Sequence, residues 1–447
     1  MTVAATKSVR DPFIDLLRVL SMGVVLGMHW LTPLITAPGG QIRVEILPSG
    51  PFAWIASWCI QVMPVIFLAG GVANTAVAGA YRGRYAQYLA VRGARLVAPA
   101  VVLVGVVALM ASAAGGLGHP SIGRAVSLSA MKPLWFLAVY LGVLALAPAM
   151  VAAQRRFGWG VPAALAAAAL GVDAVRFAGH EWAAVLNYAF VWLFAHQLGI
   201  AYALGAVRSA RPGTLAAVGL GGVAACVGMV ALGPYPPSMI GLSDVPVSNL
   251  APPTGALVAL AVAQLAAITW LGRRFGPALR TERRRRMLDE AGKPLMTVYL
   301  WHLPAMVLLV GAGLVAPALL PEAGPQWWLV RPLWLVGCVA ILVGLVRVFH
   351  RFESVRLPAL GTRARPATAL AGVALAAACI AWAWQHGAAL DGGLVGLVCS
   401  LGLLAYAQVP AKNPGGQVPT DNSGAQVPAK EPVKAASKDS ALIGRPK

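Results

Sequence analysis

Acid, base and imidazole share one stripe near the start of this chain, in Asp15-Leu-Leu-Arg18-Val-Leu-Ser-Met-Gly-Val-Val-Leu-Gly-Met-His29. Arg18 and His29 are eleven positions apart. That is close to three turns of α-helix, so both side chains project from one face, and Asp15 joins them a turn earlier. Ionisable groups inside an apolar run are energetically unfavourable unless they meet partners or do chemistry. An imidazole can accept a proton near neutral pH, which makes His29 a candidate general base. His196 and His302 also lie within apolar runs and are further candidates for proton transfer or substrate contact. The structural alternative for each is a polar seam that pins one helix to another.

A second group could hold a ligand rather than react with it. In Arg82-Gly-Arg-Tyr-Ala-Gln-Tyr-Leu-Ala-Val-Arg92-Gly-Ala-Arg95-Leu-Val-Ala-Pro99, the last two arginines are three residues apart and share a helix face. Guanidinium forks pair with phosphate oxygens, so Arg92 and Arg95 suit a phosphate-bearing ligand. The same charges also arise from membrane topology alone. Other chemistries find no support. No P-loop, GxSxG or HExxH is present. Cys59, Cys226, Cys338, Cys379 and Cys399 are scattered singly without metal-ligand spacing, so neither a metal nor a disulfide framework is expected.

The elements that must position these residues are membrane helices. Of 447 residues 59% are hydrophobic and 11% charged, with mean hydropathy +0.73; a soluble chain carries about a quarter charged residues. Long apolar runs of helical length predict an all-α polytopic membrane protein. Spans are expected near 13–36, 52–80, 93–114, 133–153, 159–178, 182–206, 214–233, 254–272, 294–319, 327–348, 367–387 and 390–407. Asp15 and Arg18 interrupt the position of a cleavable signal's apolar core, so the first span is expected to stay in the membrane.

The net charge of +20 would suggest nucleic acid in a soluble protein, but its placement points elsewhere. Alternate loops carry Lys7 and Arg10, the Arg82–Arg95 group, Arg155 and Arg156, Arg208 and Arg211, the Arg273–Lys293 block, and Arg347 to Arg365. The opposite loops hold only Arg43, Arg124, Lys132, Arg176 and Arg331. This asymmetry predicts a multi-pass cell-membrane protein with both termini cytoplasmic, in contact with lipids and not with nucleic acid. The Pro-rich outer loop 233–253 is expected to be irregular but stiff, either a wall or lid over a substrate or a plain connector. Beyond Tyr406, Gln-Val-Pro recurs at 408, 417 and 426 amid Pro, Lys, Gly and Ser, which predicts a disordered tail over 409–447.

The chain resembles the acyltransferase type 3 group of integral-membrane O-acyltransferases. Arg18-x10-His29 matches the motif of that family's first helix, and Arg92, Arg95 and Pro99 match the start of its third span. Pro133-Leu-Trp135-Phe-Leu137 matches its Trp-Phe-Leu motif and Tyr299-Leu-Trp-His302 its Tyr-Leu-x-His motif. Pro64-Val-Ile-Phe-Leu-Ala-Gly-Gly71 matches the second span with Ala69 at the family's serine position, and the Glu that many members place after Trp-Phe-Leu is absent.

The resemblance implies a core of about ten helices over 1–350, one or two additional transmembrane helices over 351–408, and the tail beyond. It implies transfer of an acyl group, often acetyl, from cytosolic acyl-CoA to a hydroxyl on a sugar, a lipid-linked acceptor or a secondary metabolite, with acyl-CoA as co-substrate and no metal. His29 would be the base. Arg18 and His302 would share the catalytic site, and Asp15, Arg92, Arg95, His196 and Trp135 would contact substrates. A twelve-helix secondary transporter would also place polar groups at mid-membrane, but it predicts half-to-half repeats, and Arg18-x10-His29 has no counterpart near the middle of the chain.

Overall fold

Proline and glycine set the helix boundaries. The computed structural model describes residues 11–36, 43–46, 51–241, 247–316, 319–320 and 324–409. Lys7, Arg10, Asp244, Glu322 and the tail from residue 410 onward lie outside the described residues. Asp11 starts α1 (Pro12–Leu31) by accepting the Phe13 N–H at 3.0 Å, with proline at the first helical position, where no N–H is needed. The expected span to residue 36 ends early, because Pro33 has no N–H to continue the helix. The chain turns instead into antiparallel strands β1 (Pro33–Thr36) and β2 (Arg43–Ile46), with Pro33 opposite Ile46.

The second expected span is two helices, α2 (Pro51–Ile60) and α3 (Met63–Ala80). In an unbroken helix the Pro64 ring would clash with the Ile60 carbonyl and leave it without a donor. The Gln61 carboxamide oxygen restarts the helix by accepting the Met63 N–H at 3.1 Å. Next, α4 (Tyr85–Gly116) begins eight residues before the expected span, so Arg92 and Arg95 lie inside the helix rather than at its mouth. The segment read as a loop around Arg124 is α5 (Pro120–Met131), which a break at Lys132-Pro133 joins to α6 (Leu134–Phe157).

The remaining helices are α7 (Gly160–Phe177), α8 (Asn187–Ala203), α9 (Pro212–Leu232), α10 (Gly255–Phe275), the polar α11 (Glu282–Gly292), α12 (Leu295–Val315), α13 (Pro325–Phe349), α14 (Pro366–His386) and α15 (Gly392–Tyr406). Among the described residues, 11 helical segments are long and apolar enough to cross a membrane, while α15 is shorter. The chain is an all-α multi-pass membrane protein.

Buried apolar side chains form two clusters, and α1 contributes to both. Phe13 and Ile14 at its start join Phe67, Trp192 and Leu257, from α3, α8 and α10. Trp30 at its end joins Leu103, Leu134, Leu300 and Trp334, from α4, α6, α12 and α13. The helix with the polar stripe is therefore held at each end by a different part of the core. Helices α14 and α15 pack on α4, and α14 also packs on α6 and α5. A Cβ built on Gly93 would stand 3.2 Å from Leu404 and 3.3 Å from Val373, so the gap between Arg92 and Arg95 faces this C-terminal pair.

The crossing of α3 and α8 is a close one. A Cβ on Gly199 would stand 1.9 Å from the Leu68 carbonyl oxygen, and one on Gly71 would stand 2.0 Å from that of His196. Both obstacles are backbone, which cannot rotate away. Gly199→Ala is therefore expected to destabilise the protein by about 1–3 kcal/mol or more, read as a lower thermal midpoint in detergent. Gly221→Ala is the control, because its Cβ would meet nothing within 4 Å.

Candidate active site

His29 and His302 meet. His29 sits near the end of α1 and His302 lies two turns into α12, and their ring centroids are 4.9 Å apart. His302 Nδ1 is 2.6 Å from the Tyr299 carbonyl oxygen and His29 Nδ1 is 2.9 Å from that of Val25. A carbonyl can only accept, so each Nδ1 carries the proton. His302 Nε2 is then a lone-pair nitrogen 3.2 Å from His29 Nδ1, and it shares that single N–H with the nearer Val25 carbonyl in a bifurcated hydrogen bond. The tautomer of both neutral rings follows from these carbonyls, and His29 Nε2 is left as the basic nitrogen. His302 is fully buried and His29 half-buried.

Several residues of the two aromatic motifs brace the helices that carry this pair. The Tyr299 hydroxyl donates to the Pro133 carbonyl at the α5–α6 break. Leu300 is buried and Trp301 stacks on Phe349 at 3.9 Å. Phe136 meets Tyr299 edge-on at 5.3 Å and Phe67 at 5.2 Å. The Trp30 indole donates to the His302 backbone carbonyl at 3.0 Å, and the Trp334 indole to the Trp30 carbonyl at 3.1 Å. Helices α1, α12 and α13 are thus tied together immediately beside the imidazoles.

Arg18 and Asp15 form an ion pair at 3.6 Å at the other end of α1. A rise of about 1.5 Å per residue puts Arg18 and His29 about 16 Å apart along the axis. On α4, Arg92 is within electrostatic reach of Tyr88 one turn before it. Tyr88 lines a pocket of about 240 Å³ with Tyr81, Arg82, Tyr85, Pro148 and Arg155. Pro148 cannot donate to Leu144, and the Tyr88 hydroxyl supplies the missing hydrogen bond at 2.9 Å.

His196 sits elsewhere. Buried at the α3–α8 crossing, its Nε2 accepts from the Asn74 side-chain amide at 3.1 Å, and its Nδ1 has no partner among the described residues. Trp135 packs against Trp192 at 5.8 Å and Tyr188 at 6.1 Å, and Trp384 of α14 meets Tyr188 at 6.2 Å. The loop after α9 is pinned inward. The Trp58 indole donates to Pro237 at 2.8 Å, the Met239 N–H donates to the Ser57 hydroxyl at 2.9 Å, and the Gln61 amide donates to Met239. Tyr235 donates to Asp173 at 3.0 Å, and burial together with that carboxylate pushes its phenol pKa upward. Among the described residues this loop is held to the helices beneath it by these hydrogen bonds.

Four residues around the histidines and the helices that carry them escape sequence reading. Lys132, at the α5–α6 break, is exposed and within electrostatic reach of His29, although charge counting placed it in a loop. Trp30 and Trp334 look like ordinary apolar positions, and only their indole N–H groups give them away. Glu353 accepts the Thr297 N–H at 2.6 Å and so anchors the N-terminal turn of the helix that carries His302.

Residues 11–349 match the model of a family described as an acyltransferase domain. The match includes both histidines and ends where α13 ends. No curated protein and no solved structure matches.

Proposed function

Because the chain belongs to this family of membrane acyltransferases, we propose that it moves an acyl group, acetyl in the simplest case, from cytosolic acyl-CoA to a hydroxyl on a sugar, a lipid-linked acceptor or a secondary metabolite. The observation that carries this reading is the imidazole pair whose hydrogen bonds leave His29 Nε2 unprotonated. The acceptor hydroxyl gives its proton to that nitrogen while its oxygen attacks the thioester carbonyl. The C–S bond then breaks, and the imidazolium returns the proton to the departing CoA sulfur. His302 positions His29. Trp135, beside Tyr188 and Trp384, offers ring faces to the acceptor.

The donor enters from the cytoplasm, with both termini of the chain on that side of the cell membrane. Arg92 and Arg95 hold its phosphates, and the neighbouring pocket with Arg82 and Arg155 is the mouth through which it passes. Arg18, oriented by Asp15, contacts the donor about 16 Å from the base along α1, a distance that the donor's extended arm bridges. His196, at the α3–α8 crossing with its Nδ1 unpartnered among the described residues, is a secondary candidate for substrate contact. Over 351–408, α14 and α15 are additional membrane helices that back the donor helix α4 and bring Trp384 to the acceptor side.

The test is turnover of radiolabelled acetyl-CoA by the detergent-purified protein with a panel of hydroxyl acceptors. Absence of CoA binding, hydrolysis and transfer would overturn the reading. Arg92→Ala and Arg95→Ala are each expected to weaken CoA binding by about 10–10²-fold, in line with the 1.5–3 kcal/mol of a hydrogen bond to a charged group. The wild-type affinity should fall as salt is raised. Calorimetric titration of CoA checks both.

A further inference from the structure

Among the described residues, Arg331 is a cation buried without a counter-charge. It lies on α13 in line with Trp327 and Trp334, at helical spacings of four and three residues, and it is 4% exposed. Its guanidinium carbon is 3.7 Å from the Trp327 ring centroid and 5.0 Å from that of Trp334. Ring faces offset part of the desolvation of a cation, but they offer nothing to its N–H groups. Arg331 Nε, Arg331 Nη1 and Trp327 Nε1 are all buried with no partner among the described residues. Arg176 is the nearest parallel, with its Nε and Nη1 also unpartnered, but Asp173 acts on its charge.

Three buried donors on stacked neighbouring side chains have no acceptor among the described residues, and one of those side chains carries a positive charge. Buried polar groups are otherwise almost always paired, so such a cluster is complementary to an anion. The place is also specific. Trp334, one turn from Arg331, donates to Trp30, and Trp30 donates to His302. The cluster therefore stands one hydrogen-bonded relay away from the imidazole pair, at the end of α13 opposite the proposed donor entry.

We propose that Arg331 and Trp327 form an anion subsite that takes a phosphate or carboxylate carried by the acceptor. Only the assignment of the anion to the acceptor rests on the acyltransferase reading; the binding of an anion does not.

The test is equilibrium binding of three probes to the full-length protein in neutral detergent: dodecyl phosphate, glucose 1-phosphate and glucuronate. Arg331→Gln is expected to weaken the probe that binds by tenfold or more, Arg331→Lys to weaken it less, and both to leave CoA affinity unchanged. Dependence confined to dodecyl phosphate identifies a lipid-borne phosphate; dependence with glucose 1-phosphate or glucuronate identifies a soluble acidic sugar. Arg331→Met removes a buried uncompensated charge and is expected to melt at or above the wild-type temperature without ligand. Failure of all three probes to bind, or equal binding to wild type and Arg331→Gln, overturns the proposal. Loss of acetyl-CoA turnover with Arg331-dependent binding intact would instead overturn the acyltransferase reading alone.

Discussion

His29→Ala is expected to lower the rate of acyl transfer by about 10²–10⁴-fold, the contribution of a positioned general base. The loss should fall on kcat. The donor's phosphates are assigned to Arg92 and Arg95 on α4, and removing an imidazole near the far end of α1 leaves them in place. His29→Gln separates basicity from shape. Its amide can still donate toward the Val25 carbonyl and His302, yet it has no nitrogen that takes a proton. It should be as inactive as alanine. Initial rates with radiolabelled acetyl-CoA, set beside CoA affinity by titration, check both variants. Near-normal turnover in either would remove His29 from the role of base.

How much of this was legible beforehand depended on which physical signal each feature leaves in the sequence. Hydropathy registers the long apolar helices among the described residues, because burial in lipid demands about 20 apolar residues whatever the fold. Breaks inside spans are legible only where a residue forces them. Pro64 splits α2 from α3 in a segment that hydropathy alone reads as continuous. Pro133 does the same between α5 and α6, and there charge counting misled: Arg124 and Lys132 read as loop residues, yet they lie on α5 and at its end.

The site was half legible. Arg18 and His29 stand out through spacing on one helix, and His302 through its motif. Their meeting leaves no local mark, since 273 residues separate the two imidazoles and a single sequence carries no information about pairing at that distance. Arg331 fails for another reason. The positive-inside rule counts a cation without asking whether it faces water, and the indoles that shield this one look like any apolar residue. The same limit applies to His196, whose type suggests chemistry while Gly71 and Gly199 show that its surroundings are a tight helix crossing.

His302→Leu isolates what the second imidazole does. Leucine is close in bulk and keeps the α12 backbone, so the Trp30 indole retains its acceptor, the carbonyl of residue 302. What is lost is the Nε2 lone pair that faces His29 Nδ1 at 3.2 Å. That acceptor fixes the ring and strengthens its hydrogen bond when His29 becomes an imidazolium, because charge-assisted hydrogen bonds are roughly twice as strong as neutral ones. In serine proteases, replacing the residue that orients the histidine with a group favouring the wrong tautomer costs about 10⁴-fold. Here the Val25 carbonyl, 2.9 Å away, still accepts the Nδ1 proton, so the correct tautomer survives without His302. The expected loss is therefore smaller, about 10–10²-fold in kcat, equivalent to about 1.4–2.7 kcal/mol of transition-state stabilisation. CoA affinity should be unchanged. His302→Gln, whose side-chain oxygen can accept from His29 Nδ1, should recover part of the rate. A merely structural role predicts the reverse pattern: leucine, apolar and well packed in a fully buried position, would be tolerated and glutamine would not. Comparing kcat and thermal midpoint across the two variants decides between them.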